Sequence, residues 1–226
     1  MTLHIGLLAF PNVQQLDLTA PYEVFASMPG VTVHLVWKTL DPLLSSTGLS
    51  LIPTQTFDSC PPLDVICIPG GIGVNPLLED AETLAFVRRT AQAARYVTSV
   101  CTGALVLGAA GLLNGKRATT HWASHGLLEK FGAIPVHARV VRDGNLMSGG
   151  GVTAGIDFAL TLIAELFDAD KSQLIQLQLE YAPAPPFNAG HPDTAPANVL
   201  ANAIEQAAPG LEIRRQIIER VTAGAR

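Results

Sequence analysis

The chain opens on an apolar run, "LHIGLLAF", closed by Pro11, which predicts a buried first strand. "DLTAPYEVFASMPG" then places Tyr22, Phe25 and Met28 at helical spacing and stops at Pro29-Gly30, which predicts a helix. "VTVHLVW" alternates β-branched and apolar residues, a second strand. Residues 40–58, rich in Ser, Thr, Pro and Gly, predict a loop or short hairpin. "DVICIPGG" is a third strand that breaks at Pro69-Gly70-Gly71, and "AETLAFVRRTAQAA" is a helix with one wet face. "YVTSVC" is a fourth strand, and "TGALVLGAAGLLNG" a helix of small residues ending at Asn114-Gly115.

Farther along, "ASHGLLEKFG" predicts a helix, and "PVHARVVRDGNLMSGGG" a hairpin turning at Asp143-Gly144. "TAGIDFALTLIAELF" is a strongly amphipathic helix, and "KSQLIQLQLEY" continues the helical region. The Pro-rich "APAPPFNAGHPDTAP" is irregular, and residues 197–223 predict one or two final helices. No internal repeat or interdomain linker interrupts this order, so a single domain is expected over 1–226. Its core spans about 3–180, with a helical extension over about 181–226. Strands alternating with helices imply an α/β sandwich: a mostly parallel sheet with helices on both faces. Ligands of such sheets bind outside the carboxyl ends of the strands.

Cys101 falls at one of those ends. Free cysteine is usually a small buried apolar filler, and Cys67 in "VICI" and Cys60 in a Pro-rich loop are read that way. Cys101 instead follows a strand and opens a helix, with small neighbours Ser99 and Gly103, the pattern of a nucleophile elbow. The helix that follows aims its first amides at the sulfur. That predicts a thiol brought from about 8.5 toward ionisation near neutral pH.

Composition narrows the classes. At 48% hydrophobic and 15% charged residues the chain is globular, and no apolar run is long enough to cross a bilayer. A net charge of −5 without a Lys/Arg cluster argues against nucleic acid as a partner. The N-terminus has no basic stretch or cleavage signal, and three cysteines at non-ligand spacing fit reduced thiols, so a cytoplasmic location and no metal site are expected.

"SVCTGALVLGAAGLLNGKRATTHW", with "IPGG" upstream and "GGGVTAGIDFALTLIAELF" downstream, resembles the ThiJ/PfpI superfamily, related to class I glutamine amidotransferase domains. The resemblance covers roughly residues 3–180 and is strongest to the isonitrile-hydrating members. It implies a flavodoxin-like fold, a homodimer, and a cysteine nucleophile paired with an acid from the first strand–helix loop. That acid is Asp17 in "QQLDLTAPYEVF", where many members carry glutamate; the bland alternative is a helix N-cap. Like-charge repulsion from a thiolate would drive Asp17 toward its protonated form.

Position 102 is threonine, so the adjacent Cys-His pair of protease-like relatives is absent and peptidase activity is not expected. Thr102 offers a hydroxyl and an amide to substrate or water. His121 in "TTHW" reads as a structural histidine, and His191 in "NAGHPD" carries no assignment. Gly70-Gly71-Ile72-Gly73 lacks the lysine of a P-loop and the spacing of a dinucleotide fingerprint. Its amides, those of Gly71 and Ile72 above all, are the expected oxyanion-binding rim. Gly149-Gly150-Gly151 is expected to let the next helix approach the elbow closely.

The resemblance therefore implies a cofactor-independent hydro-lyase in which Cys101 attacks an isonitrile, Asp17 moves the proton and water completes a formamide. Two rivals stand beside it. One is a ligand-sensing domain like that of AraC-type regulators, although only about 45 residues follow Tyr181, too few for their paired DNA-binding units. The other is a glyoxalase-like enzyme acting on reactive carbonyls.

Overall fold

A computed structural model describes residues 2–224. The elements run β1 (Leu3–Leu8), α1 (Gln15–Ala26), β2 (Val31–Trp37), β3 (Leu43–Leu44), β4 (Ser50–Leu51), β5 (Gln55–Thr56) and β6 (Val65–Ile68). After these come α2 (Val74–Leu77), α3 (Ala81–Ala93), β7 (Tyr96–Val100), α4 (Gly103–Ala109) and β8 (Arg117–Ala118). A 3-10 helix (Trp122–Phe131), β9 (Ile134–Pro135), β10 (Val140–Asp143) and β11 (Leu146–Gly149) precede α5 (Ala154–Leu166), α6 (Ala169–Gln178) and α7 (Ala197–Ala223).

Seven strands form the central sheet in the order β10-β11-β7-β6-β1-β2-β5. Every neighbouring pair is parallel except the β10–β11 hairpin. That hairpin turns through Gly144 at φ 63°, with Asp143 opposite Leu146. Strands β6 and β11 are buried along their whole length, and β1 is buried except at His4. Continuous apolar strands are what a sheet covered on both faces requires. α1 packs with α5 on one side, where Phe25 meets Phe158 edge-on at 6.1 Å. α3, α4, the 3-10 helix and α7 pack together on the other. The result is the flavodoxin-like α/β arrangement that the resemblance implied.

β1 has β2 on one side and β6 on the other, so the chain reverses direction across the sheet there. The loops leaving β1 and β6 meet at this point, Gln14 N donating to Gly70 O at 2.8 Å and Gly73 N to Asn12 O at 3.1 Å, at the carboxyl edge where such sheets hold their ligand crevice. Asp17 hangs from the first loop, Gly70 and Gly71 from the second, and Cys101 ends the neighbouring strand.

Several expectations change in detail. Residues 40–58 hold the β3–β4 hairpin and then β5, which pairs parallel with β2. "ASHGLLEKFG" is a 3-10 helix closed by Gly132 at φ 72°. The last helix is one 27-residue element that runs through Pro209. It returns onto the sandwich, where Ile217 and Ile218 are buried and Arg220 makes two 3.0 Å hydrogen bonds to the Glu79 carboxylate. No helix among the described residues is long and apolar enough to cross a membrane.

Of the close approach assigned to Gly149-Gly150-Gly151, only Gly149 shows it, a methyl group there lying 3.3 Å from Phe158 Cβ of α5. A methyl group at Gly150 would meet nothing nearer than Ala138 O at 3.4 Å, and at Gly151 nothing nearer than 3.9 Å. A slightly tighter fit is at Gly155, where it would come within 3.2 Å of Pro21. That contact brings α5 against α1 rather than against the elbow.

Candidate active site

Cys101 sits at φ 54°, a left-handed conformation that costs a non-glycine residue about 1 kcal/mol or more. Its surroundings hold it there. The Cys101 amide donates to Gly149 O at 3.0 Å, and its carbonyl accepts the Thr120 hydroxyl at 2.7 Å. Gly103 explains the turn's sequence: a methyl group there would lie 2.0 Å from Ile68 O. Only glycine lets α4 start this close to the end of β6, and that start turns the thiol toward the crevice.

Asp17 lies in the first turn of α1, wholly buried. It does not cap that helix, whose N-cap is Gln14. Instead Asp17 Oδ2 accepts the Gly70 amide at 2.9 Å across the crevice. Oδ1 has no aligned hydrogen-bond partner, and the Cys101 thiol lies beside the carboxyl. An unsatisfied buried carboxyl oxygen is costly, and beside a thiol it makes Asp17 a candidate for proton transfer.

Burial, opposed by the thiol and the Gly70 amide, pushes Asp17 from 3.8 up to about 7. Desolvation rather than thiolate repulsion is thus the main cause. The thiol moves opposite to its sequence expectation: burial and the Asp17 carboxylate hold it well above the usual range, and the Thr102 amide and hydroxyl offset this only in part. A strand-to-helix junction read locally shows the helix start but not the desolvation. In its resting form the pair carries a protonated thiol beside an acid poised near neutrality.

Thr102 is buried, with Oγ1 accepting the Gly71 amide at 3.0 Å. The Gly71 amide is therefore already engaged, which corrects its assignment to oxyanion binding. Gly73 donates to Asn12 O at 3.1 Å. The Ile72 amide is turned toward Asn12 O by the antiparallel Val13–Gly71 bridge. Its side chain is half exposed at the crevice mouth. Gly70 must be glycine, since a methyl group would lie 2.6 Å from Thr102 N and 2.8 Å from Asp17 Oδ2.

His121 caps the 3-10 helix, Nδ1 accepting the Ala123 amide at 3.3 Å. Burial, then the charge of Arg214, holds it below the usual histidine range and neutral. His191 is exposed in the loop before α7, bonded to Asp193. Cys67 is pushed up to about 12 and Cys60 to about 11 by burial, which leaves both inert. No group of three or more candidate metal ligands occurs among the described residues. One neighbour escaped sequence reading altogether: Arg214, buried on α7, faces this site. Its only sequence signal is one of two adjacent arginines, Arg214 and Arg215, on an amphipathic helix, indistinguishable from a solvated one.

The family model described as the DJ-1/PfpI family matches residues 4–165. An isonitrile hydratase from Pseudomonas putida is 68% identical, covering 99% of this chain and 98% of that protein. A crystal structure of a THiJ/PfpI family protein from Pseudomonas syringae superposes with a TM-score of 0.94 at 46% identity, covering 96% of this chain and 91% of that one. The HTH-type transcriptional regulator GbdR of Pseudomonas aeruginosa is 27% identical over 78% of this chain, and the match spans 50% of the regulator. The family match, the near full-length relative and the shared fold agree: this chain belongs to the DJ-1/PfpI family.

Proposed function

We propose that this protein hydrates isonitriles to N-substituted formamides, with Cys101 as nucleophile and Asp17 as proton carrier. The observation that carries the reading is the buried pair itself: a thiol at an elbow beside a carboxyl near 7, with one oxygen unpartnered and no histidine at position 102. The near full-length likeness to an isonitrile hydratase supports it.

An isonitrile needs a nucleophile and a proton at its terminal carbon, and this pair offers both. The Asp17 carboxylate takes the thiol proton as Sγ bonds to that carbon. The same proton then passes to the carbon, giving a thioimidate with the substrate nitrogen doubly bonded to it. Water, held at the Thr102 hydroxyl and relieved of its proton by Asp17, adds to the carbon. As the C=N π bond opens, Asp17 returns that proton to nitrogen. The new hydroxyl then gives its proton to Asp17 as the C=O bond forms and the C–S bond breaks. The electron pair of that bond and then the proton return to Sγ, and an N-substituted formamide leaves. The net change is isonitrile plus one water. Burial serves this sequence by excluding bulk water until the thioimidate has formed.

We further infer a homodimer, as the family likeness implies, and a cytoplasmic setting, which the three free thiols fit. Incubation of the pure protein with cyclohexyl isocyanide tests the function. N-Cyclohexylformamide formed in proportion to enzyme supports it; intact isocyanide throughout overturns it.

A further inference from the structure

Arg214 lies outside the family-matched residues and is only 9% exposed. Its Nε donates to Asn75 Oδ1 at 2.8 Å and Nη1 to Ser124 Oγ at 3.0 Å. Both acceptors are neutral, and no carboxylate pairs with the guanidinium among the described residues. A buried cation without a counter-ion is expensive, and an apolar side chain there would be the more stable choice. The arginine therefore needs a reason that stability does not supply.

Its two acceptors sit on the short helices, α2 and the 3-10 helix, that follow the two loops framing the nucleophile. Asn75 follows Gly70 and Gly71, whose amides hold Asp17 and Thr102. Ser124 follows Thr120, whose hydroxyl holds the Cys101 carbonyl. One turn before Arg214, a methyl group at Gly210 would touch Ile72 at 3.5 Å, so α7 lies against the rim itself. A Cys101 anion would be the guanidinium's charge partner, Asp17 lies beside that thiol, and burial and then the same guanidinium hold His121 neutral.

We propose that Arg214 is a positioning residue delivered to the site by the C-terminal helix, clamping the two loops beside Cys101 and favouring the thiolate by its uncompensated positive charge. The charge serves twice: when Asp17 takes the thiol proton and the S–C bond forms, and when that bond breaks and its electron pair returns to sulfur. The site is then incomplete without the extension that lies beyond the family core. This rests on Cys101 being the reactive thiol, and its test reads the thiol without any isonitrile.

The test is the pH profile of Cys101 alkylation by iodoacetamide, followed on the Cys101 peptide by mass spectrometry, in the full chain and its Arg214→Met and Arg214→Lys variants. Arg214→Met should move the ionisation midpoint up by about one pH unit and slow alkylation about tenfold at pH 8. Arg214→Lys, which keeps the charge but cannot hold both loops with one rigid fork, should stay near the wild-type midpoint. Arg214→Gln gives the same neutral comparison should methionine disturb folding. A neutral variant with the wild-type midpoint overturns the proposal. So does a lysine variant displaced as far as the neutral ones, since the arginine would then be only a structural clamp. Predicted profiles in a protein that makes no formamide would sustain Arg214 and overturn the hydratase reading instead.

Discussion

Asp17→Asn should abolish hydration and yet stabilise the protein, and the stabilisation should depend on pH. A carboxyl at 3.8 in the unfolded chain and about 7 in the folded one imposes a cost that varies with pH. Below about 3.8 both states are protonated and the residue is neutral toward stability. Between 3.8 and 7 the unfolded chain ionises and the folded one does not, so stability falls as pH rises. Above 7 the cost is constant. From these values it is about 4 kcal/mol at pH 8 and about 2 kcal/mol at pH 5. Asparagine avoids it, retains an acceptor for the Gly70 amide, and buries an amide N–H₂ with little to bond, which costs about 1–3 kcal/mol at any pH. The net gain at pH 8 is about 1–3 kcal/mol, or roughly 3–10 °C in Tm for a chain of this size. The cleaner quantity is the change in that advantage between pH 8 and pH 5, about 2.5 kcal/mol, from which the fixed cost of asparagine cancels. Urea unfolding of both proteins at the two pH values measures it. An equal difference at both, or a larger one at pH 5, would refute a carboxyl held near neutrality by burial.

Other substitutions probe the elbow and its rim. Cys101→Ala should fold normally and retain less than a few per cent of activity, read by formamide release and circular dichroism. Thr102→Val strands the half-buried Gly71 amide; a loss of about 1–2 kcal/mol in stability and roughly 10- to 100-fold in kcat is expected, with Thr102→Ser recovering most of both. Gly103→Ala would press a methyl group against Ile68 O and should fail to fold or lose more than about 4 kcal/mol, whereas Gly150→Ala has room and should melt within a few degrees of wild type. Thermal melts of the two alanine variants, run together, check that contrast.

Strand and helix order was legible because each buried strand is a short apolar run closed by Pro or Gly, and the sheet's direction follows from their alternation. The elbow was legible for the same reason: Cys101 stands between "YVTSV" and a glycine that the turn demands. What escaped is set by tertiary contact. The thiol's raised ionisation comes from burial between β6, β11 and Asp17, none adjacent in sequence. Gly71 looked like a free donor because its partner, the Thr102 hydroxyl, arrives from another loop. Arg214 looked like a surface cation because nothing near it in sequence reveals Asn75 or Ser124. The 3-10 form of 122–131 was hidden as well, since its apolar spacing suits either helix.

The central claim is a covalent thioimidate on Cys101. Rapid acid quenching of the enzyme during turnover of cyclohexyl isocyanide, followed by digestion and mass spectrometry, addresses it directly. The peptide that contains Cys101 should gain the mass of one intact isocyanide, transiently and in step with formamide release, and the gain should be absent from the Cys60 and Cys67 peptides. Formamide produced at full rate with an unmodified Cys101 peptide at every time point would contradict the account.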